Sequence, residues 1–444
     1  RLASRLPALV LGCGFLLIAS ALLVWTWRAA QPRPALAPAV DPARSTVALS
    51  TDRITNDGQR VRILVSLRDT RGRPLAHAPV RIAPSRAFLR GAGGRTDSLG
   101  RFSAQLSVQP GAQHRQSSSG LVAFQIYAST QERPLRPAPR LRVYNRVAVL
   151  LQGLGTSSRC HDPACLPSMF APLTDSVLQP LGYSAGSAAP TILQYSYRGG
   201  QMIAGTGEWR WQPQSYDLCD TMQPVAQSAQ ILRDMLIAYR TRYPYTTFEL
   251  LGHSLGGLVA FEAAGDQGFL TRIGPQGIDK VITIDSPVNG ITAFNAQSWL
   301  VDIAAGFTHL LGCRGQGFGF NLMGELSGLG DQSPGRQHQW AAAARAAGVA
   351  VLDITNRQDI LVPEAYAEVD DGHPQSVVDR LLYDASSAQT YGHSALLYPT
   401  RSASQPNPVW NAFTATLRQY LGQPCLSFAA PDSACVYPML DRNA

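Results

Sequence analysis

The rhythm of hydrophobic and polar positions changes twice along this chain. From Leu6 to Trp27 nearly every residue is apolar; from about 46 to 144 apolar and polar residues alternate; from Val147 on, short continuous apolar runs are separated by stretches of helical spacing. Each rhythm predicts a different structure. At 1.5 Å per residue, ~20 apolar residues span the ~30 Å of a bilayer core, so the first predicts a transmembrane helix. Trp25 and Trp27 close it, where interfacial aromatics belong. A cleaved signal peptide is the alternative, with Arg28-Ala29-Ala30 or Ala35-Leu36-Ala37 as the cleavage site. The Pro- and Ala-rich segment that follows reads as an extended linker, giving an anchor and linker over residues 1–45.

In the second region Val61, Ile63, Val65 and Leu67 alternate with Arg62, Leu64 and Ser66, and Val122, Phe124 and Ile126 repeat the pattern. Turn clusters stand between them, Asp69-Thr70-Arg71-Gly72-Arg73-Pro74 and Gly91-Ala92-Gly93-Gly94. Period-two strands punctuated this way predict a β-sandwich over 46–144. Arg62 to Leu75, Pro79-Val80-Arg81-Ile82 and Thr96-Asp97-Ser98-Leu99-Gly100-Arg101-Phe102 resemble bacterial immunoglobulin-like domains of the invasin and intimin type. The resemblance implies a spacer or adhesion module, and no catalytic cluster is present in this region.

The third region, 145–424, predicts an α/β domain. Val147–Leu151, Thr191–Tyr197, Thr247–Leu251, Lys280–Asp285 and Val349–Ile354 read as buried strands. Val225, Ala229, Leu232, Leu236, Tyr239 and Tyr243 form a helical stripe with Asp220 or Thr221 as cap; Gly257–Ala264 and Val409–Leu421 read as further helices. Strands alternating with helices predict a mostly parallel sheet wound on both faces. Residues 290–348 form a long insertion with apolar stretches, read as a lid or a fixed cap, and 425–444 form a tail.

One stretch in this region carries chemistry. Thr247–Leu251 runs into Gly252-His253-Ser254-Leu255-Gly256-Gly257, a G-x-S-x-G bend between strand and helix with Ser254 at its apex. A serine hydroxyl is a poor nucleophile until a base removes its proton, so it must stand clear of the backbone facing a histidine. The tight bend does this, and Gly252 and Gly256 remove side chains that would collide. Upstream, Val147–Leu151 ends in Gln152-Gly153-Leu154-Gly155, a loop from which the backbone N–H of Leu154 would join that of Leu255 as an oxyanion hole if Ser254 is a nucleophile. Downstream, Asp359 follows the Val349–Ile354 strand, and His393 in Tyr391-Gly392-His393-Ser394 precedes the last helix.

The order Ser254, Asp359, His393, together with the Gly-His-Ser-Leu-Gly-Gly bend, resembles lipase-like serine hydrolases of the α/β-hydrolase superfamily. Many of those lipases have His-Gly where this chain has Gln152-Gly153. Asp285 is the rival acid, Asp353 lies within its strand, and His253 flanks the serine pointing elsewhere; His309, His338 and His373 lack a comparable setting. The resemblance implies a carboxylic ester hydrolase acting through an acyl-enzyme on a lipophilic ester or lipid, with no cofactor and no metal. Acyl transfer or thioester cleavage at the same site, and a catalytically silent adhesion or scaffold protein, are the alternatives.

Charge and cysteines refine the setting. The net charge is +8, almost entirely from arginine, without a basic run or interleaved aromatics, so nucleic acid is not an expected partner. Apart from Cys13, the cysteines are Cys160, Cys165, Cys219, Cys313, Cys425 and Cys435, an even set without the spacing of a zinc site. Local bridges Cys160–Cys165 and Cys425–Cys435 would leave Cys219 with Cys313. Disulfides place the folded region outside the cytoplasm, held to the cell membrane by a single span, or secreted if the N-terminal segment is cleaved.

Overall fold

Strand β8, Arg140–Leu151, joins the two halves of the molecule. The computed structural model describes residues 39–113, 115–128, 134–135, 138–159, 166–185, 190–205, 208–290, 322, 325–326, 336–359, 362, 367, 378–383, 393–402 and 405–422. The expected membrane span, most of the insertion, the C-terminal tail and every cysteine but Cys219 lie outside them. Cys219 is disulfide-bonded. Among the described residues no helix is long and apolar enough to cross a membrane.

The alternating region folds as alternation dictates. Strands β1 (Thr46–Leu49), β3 (Arg60–Ser66) and β6 (Arg101–Ser107) form one sheet, and β4 (Pro79–Pro84), β5 (Ala92–Arg95), β7 (Gly120–Ala128) and the start of β8 form the other. Val61, Ile63 and Val65 of β3 meet Val80, Ile82, Val122, Phe124 and Ile126 in a shared core, while Arg60, Arg62 and Leu64 face out. The short β2 (Arg53–Thr55) pairs with β8.

Past Tyr144 the same strand changes sheet partners. Asn145 to Leu151 pair in parallel with β12 (Thr246–His253), and Ala148 to Leu150 with β9 (Ile192–Gln194). Beyond β12 follow β13 (Ile278–Ile284), β14 (Ala350–Asn356) and β15 (Val378–Tyr383), all parallel. Residues 144 and 145 are thus consecutive members of one strand, where the sequence suggested a boundary.

The continuous apolar runs follow from burial on both faces. Val147, Val149 and Leu151 enter one core with Phe248, Leu250 and Val281; Ala148 and Leu150 enter the opposite core with Leu251, Ile282 and Leu352. Helices α1 (Val225–Arg242) and α2 (Leu255–Gly265) cover the first, and α4 (Trp410–Gly422) the second, with the short α3 (Gln267–Ile273) following α2. This mixed α/β architecture fits the expected α/β-hydrolase fold. Three local expectations shift. The strand expected at Thr191–Tyr197 is only Ile192–Gln194, because Tyr195 and Tyr197 turn into the core under α1. A hairpin, β10 (Gly200–Ala204) with β11 (Trp209–Pro213), follows it. The N-cap of α1 is Pro224, and Glu325 from the insertion accepts the Val225 N–H at 2.9 Å in place of a local cap.

At the junction Asn56 donates to Asn145 at 2.9 Å, Asn145 to Gln116 at 2.6 Å, and Gln116 to Thr246 at 3.1 Å. Beneath them Arg146 joins Asp57 of the sandwich to Glu249 of β12, and Lys280 and Tyr183 also reach Glu249. A buried charge needs a partner, and here each of these has one.

Candidate active site

Fully buried β12 ends at His253, and the chain turns at once into α2. The turn places Ser254 at φ 55°, ψ −130°, a conformation costing a residue with a Cβ about 1–3 kcal/mol. Tight packing around the bend holds it there. A Cβ on Gly252 would lie 2.4 Å from the Gly257 Cα, and one on Gly256 2.4 Å from the Leu151 carbonyl oxygen. No larger residue fits at either position.

The loop after β8 lies against the serine, since a Cβ on Gly153 would sit 3.0 Å from Ser254 Oγ. Among the described residues the backbone N–H groups of Leu154 and Leu255 have no hydrogen-bond acceptor, and that of Leu255 opens α2. The Gln152-Gly153 pair is tightly held. Tyr197 donates to the Gln152 carbonyl at 2.7 Å, Tyr216 to its side-chain oxygen at 2.6 Å, and Thr156 to the Gly153 carbonyl at 2.8 Å.

His393 Nδ1 donates to Asp359 Oδ2 at 2.6 Å. Asp359 follows β14; its other oxygen accepts from the Val362 N–H at 2.9 Å, which fixes the carboxylate plane. Nδ1 is committed to that bond, so Nε2 is left as the basic nitrogen. Asp359 and His393 are therefore brought together, whereas Ser254 and His393 are not hydrogen-bonded to each other. Such contacts commonly tighten only when substrate binds.

His253 links the two halves of the site. Expected to point elsewhere, it donates from Nε2 to the His393 carbonyl oxygen at 2.9 Å, with the two rings 4.9 Å apart. Burial, with the adjacent His393, pushes its pKa down to about 3, so His253 stays neutral beside that ring. No spacing rule in the sequence signals this contact, which depends on where the His393 loop returns. The rival acid Asp285 is also close. Its carboxyl accepts from the Asn356 N–H at 2.6 Å, and burial and the charge of Asp359 raise its pKa well above the usual range. Asp353, within β14 as expected, accepts from Thr283 at 2.7 Å. Among the described residues no cluster could hold a metal ion.

No known protein-family model matches this chain, and neither does any curated protein. Solved structures resemble its two parts separately. The adhesin InvE of Yersinia pseudotuberculosis is 14% identical with a TM-score of 0.20, the match covering 27% of this chain and 33% of the adhesin. A lipase-esterase related protein from Clostridium acetobutylicum is 12% identical with a TM-score of 0.33, covering 62% of this chain and 93% of that one. An enol-lactonase from Burkholderia xenovorans is 15% identical at 0.32, covering 63% and 92%. At these values none of them places the chain in a family. This chain spans only a third of the adhesin's length.

Proposed function

We propose that this protein is a serine hydrolase that cleaves carboxylic esters, a lipase or esterase, with Ser254, His393 and Asp359 as its triad. The observation that carries the reading is the bond from His393 Nδ1 to Asp359 Oδ2, made by a histidine whose backbone is tied to the neighbour of a strained, helix-capping serine.

In this reading His393 Nε2 takes the proton of Ser254 as Oγ bonds to the ester carbonyl carbon, and Asp359 stabilises the imidazolium. The N–H groups of Leu154 and Leu255 hold the oxyanion. The carbon–oxygen bond to the alcohol then breaks, His393 returns the proton to the leaving alkoxide, and water repeats the cycle on the acyl-enzyme. The apolar insertion favours a lipophilic ester. The Leu6–Trp27 run and the cysteine set support a protein anchored in the cell membrane with its folded part outside the cytoplasm.

Hydrolysis of short and long p-nitrophenyl esters, with fluorophosphonate labelling, tests the chemistry. Ser254→Ala should lose both while keeping the circular dichroism of the parent. Labelling that survives this substitution would refute the assignment. An acyl group passed to added alcohol in preference to water would mark an acyltransferase.

A further inference from the structure

The charge of this chain is divided between its two halves. Residues 40–144 hold seventeen arginines and six acidic residues, whereas residues 145–444 hold seventeen basic and twenty-four acidic ones. The basic half is not uniform either. At the sandwich end where the chain enters through Val40, two turns meet: Leu67 N–H donates to the Gly100 carbonyl at 2.8 Å, and Val40 bridges to Asp69. Arg44, Arg68, Arg71, Arg73 and Arg101 are exposed around this end. Its acids are already engaged, Asp41 with Arg44, Asp69 with Arg73 and the turn amides, and Asp97 with the N–H groups of Leu99 and Arg101. Among these arginines stands Leu99, 57% exposed at the tip of its turn.

We propose that this end of the sandwich rests on an anionic bilayer surface, with Leu99 dipping between headgroups, and that the candidate active site faces away from that bilayer. Arginines near an anionic surface bind it additively, and an apolar tip among them adds insertion. The membrane is favoured over a nucleic acid because the exposed apolar residue at this basic end, Leu99, is aliphatic and offers no aromatic stacking platform. Position agrees with this. The end receives the chain after residues 28–39, which follow the apolar run, so the footing rests on the anchoring part of the proposed function and not on the triad.

The continuous sheet fixes the orientation. Strand β7 runs from Gly120 at the junction to Ala128, which pairs with Val80 beside the basic end, and β8 runs the opposite way into the parallel sheet. Ser254 lies past the carboxyl end of β12, on the rim farthest from the sandwich. The twelve residues of β8 alone span ~40 Å. An ester that reaches this rim comes from the surroundings or from an apposed surface, not from the bilayer under the footing.

The full chain should be measured on vesicles of phosphatidylcholine alone and with phosphatidylglycerol admixed, at low and high salt. Binding to the neutral vesicles reports the apolar run; the salt-sensitive gain on anionic vesicles reports the basic end. Replacing Arg44, Arg68, Arg71 and Arg101 together by Gln should cut that gain by about tenfold or more, whereas the same change at Arg86, Arg90, Arg115 and Arg140 should leave most of it. Leu99→Ser, which disturbs no packing, should cut it several-fold. Equal losses from both arginine sets, or an unchanged gain in the first set and in Leu99→Ser, overturns the footing. With a fluorescent fluorophosphonate on Ser254, energy transfer to a headgroup dye should be weak; efficient transfer overturns the orientation. Failure to label contradicts the serine assignment and leaves the vesicle result to decide the footing.

Discussion

The sandwich strand β3 and the elbow strand β12 differ in what surrounds them. In β3, Val61, Ile63 and Val65 are buried and Arg60, Arg62 and Leu64 face solvent; in β12 all eight residues are buried. A strand with a wet face has room to accommodate change. A strand enclosed on both faces has none, and that confinement holds Ser254 and its neighbours in geometry that a looser setting would relax.

The largest effect of a substitution is expected at the site itself. Asp359→Asn, which keeps the shape but disfavours the Nδ1–H tautomer of His393, should lower kcat by about 10⁴ while thermal stability changes little. A loss within tenfold would mean that Asp285 can supply the carboxylate. Next, Gly252→Ala puts a carbon 2.4 Å from the Gly257 backbone and should cost about 3 kcal/mol in urea unfolding. If it is tolerated, the elbow is less confined than its packing requires.

Carboxyls in the two halves should respond oppositely to pH. Burial raises the pKa of Glu262, on α2, to about 7, so the stabilisation it gives when protonated is present below the unfolded value of 4.5 and is lost as pH rises through 7. Glu262→Gln should therefore stabilise the protein by on the order of 2 kcal/mol at pH 8 and hardly at all at pH 4, in thermal melts across that range. Asp69 of the sandwich has its pKa lowered by the Arg73 N–H and side chain, so its contribution fades only as pH falls below the usual carboxylate range. The smallest effect should come from the wet face, where Arg62→Gln should shift stability by less than ~0.5 kcal/mol.

Much of this was legible from residue order. Alternation announced the sandwich because one side of each strand meets water, and Gly252 and Gly256 around Ser254 announced the elbow because few other sequences make so close a turn. The hairpin of β10 and β11 was not legible, since Gly200 to Ala204 lacks a strong period. Nor was the single strand running through both halves, because Tyr144 and Asn145 look like any change of pattern and only the pairing partners reveal the continuity.

Sequence alone determined the types and order of the chemical groups, a serine at a bend followed by a carboxylate and a histidine, because these depend on local backbone demands and on chain order. Tertiary structure decided which carboxylate meets His393, that His253 holds its backbone, and that the basic end and the candidate site lie at opposite ends of the molecule. Those are distances between residues far apart in the chain, and only packing of the whole sheet sets them.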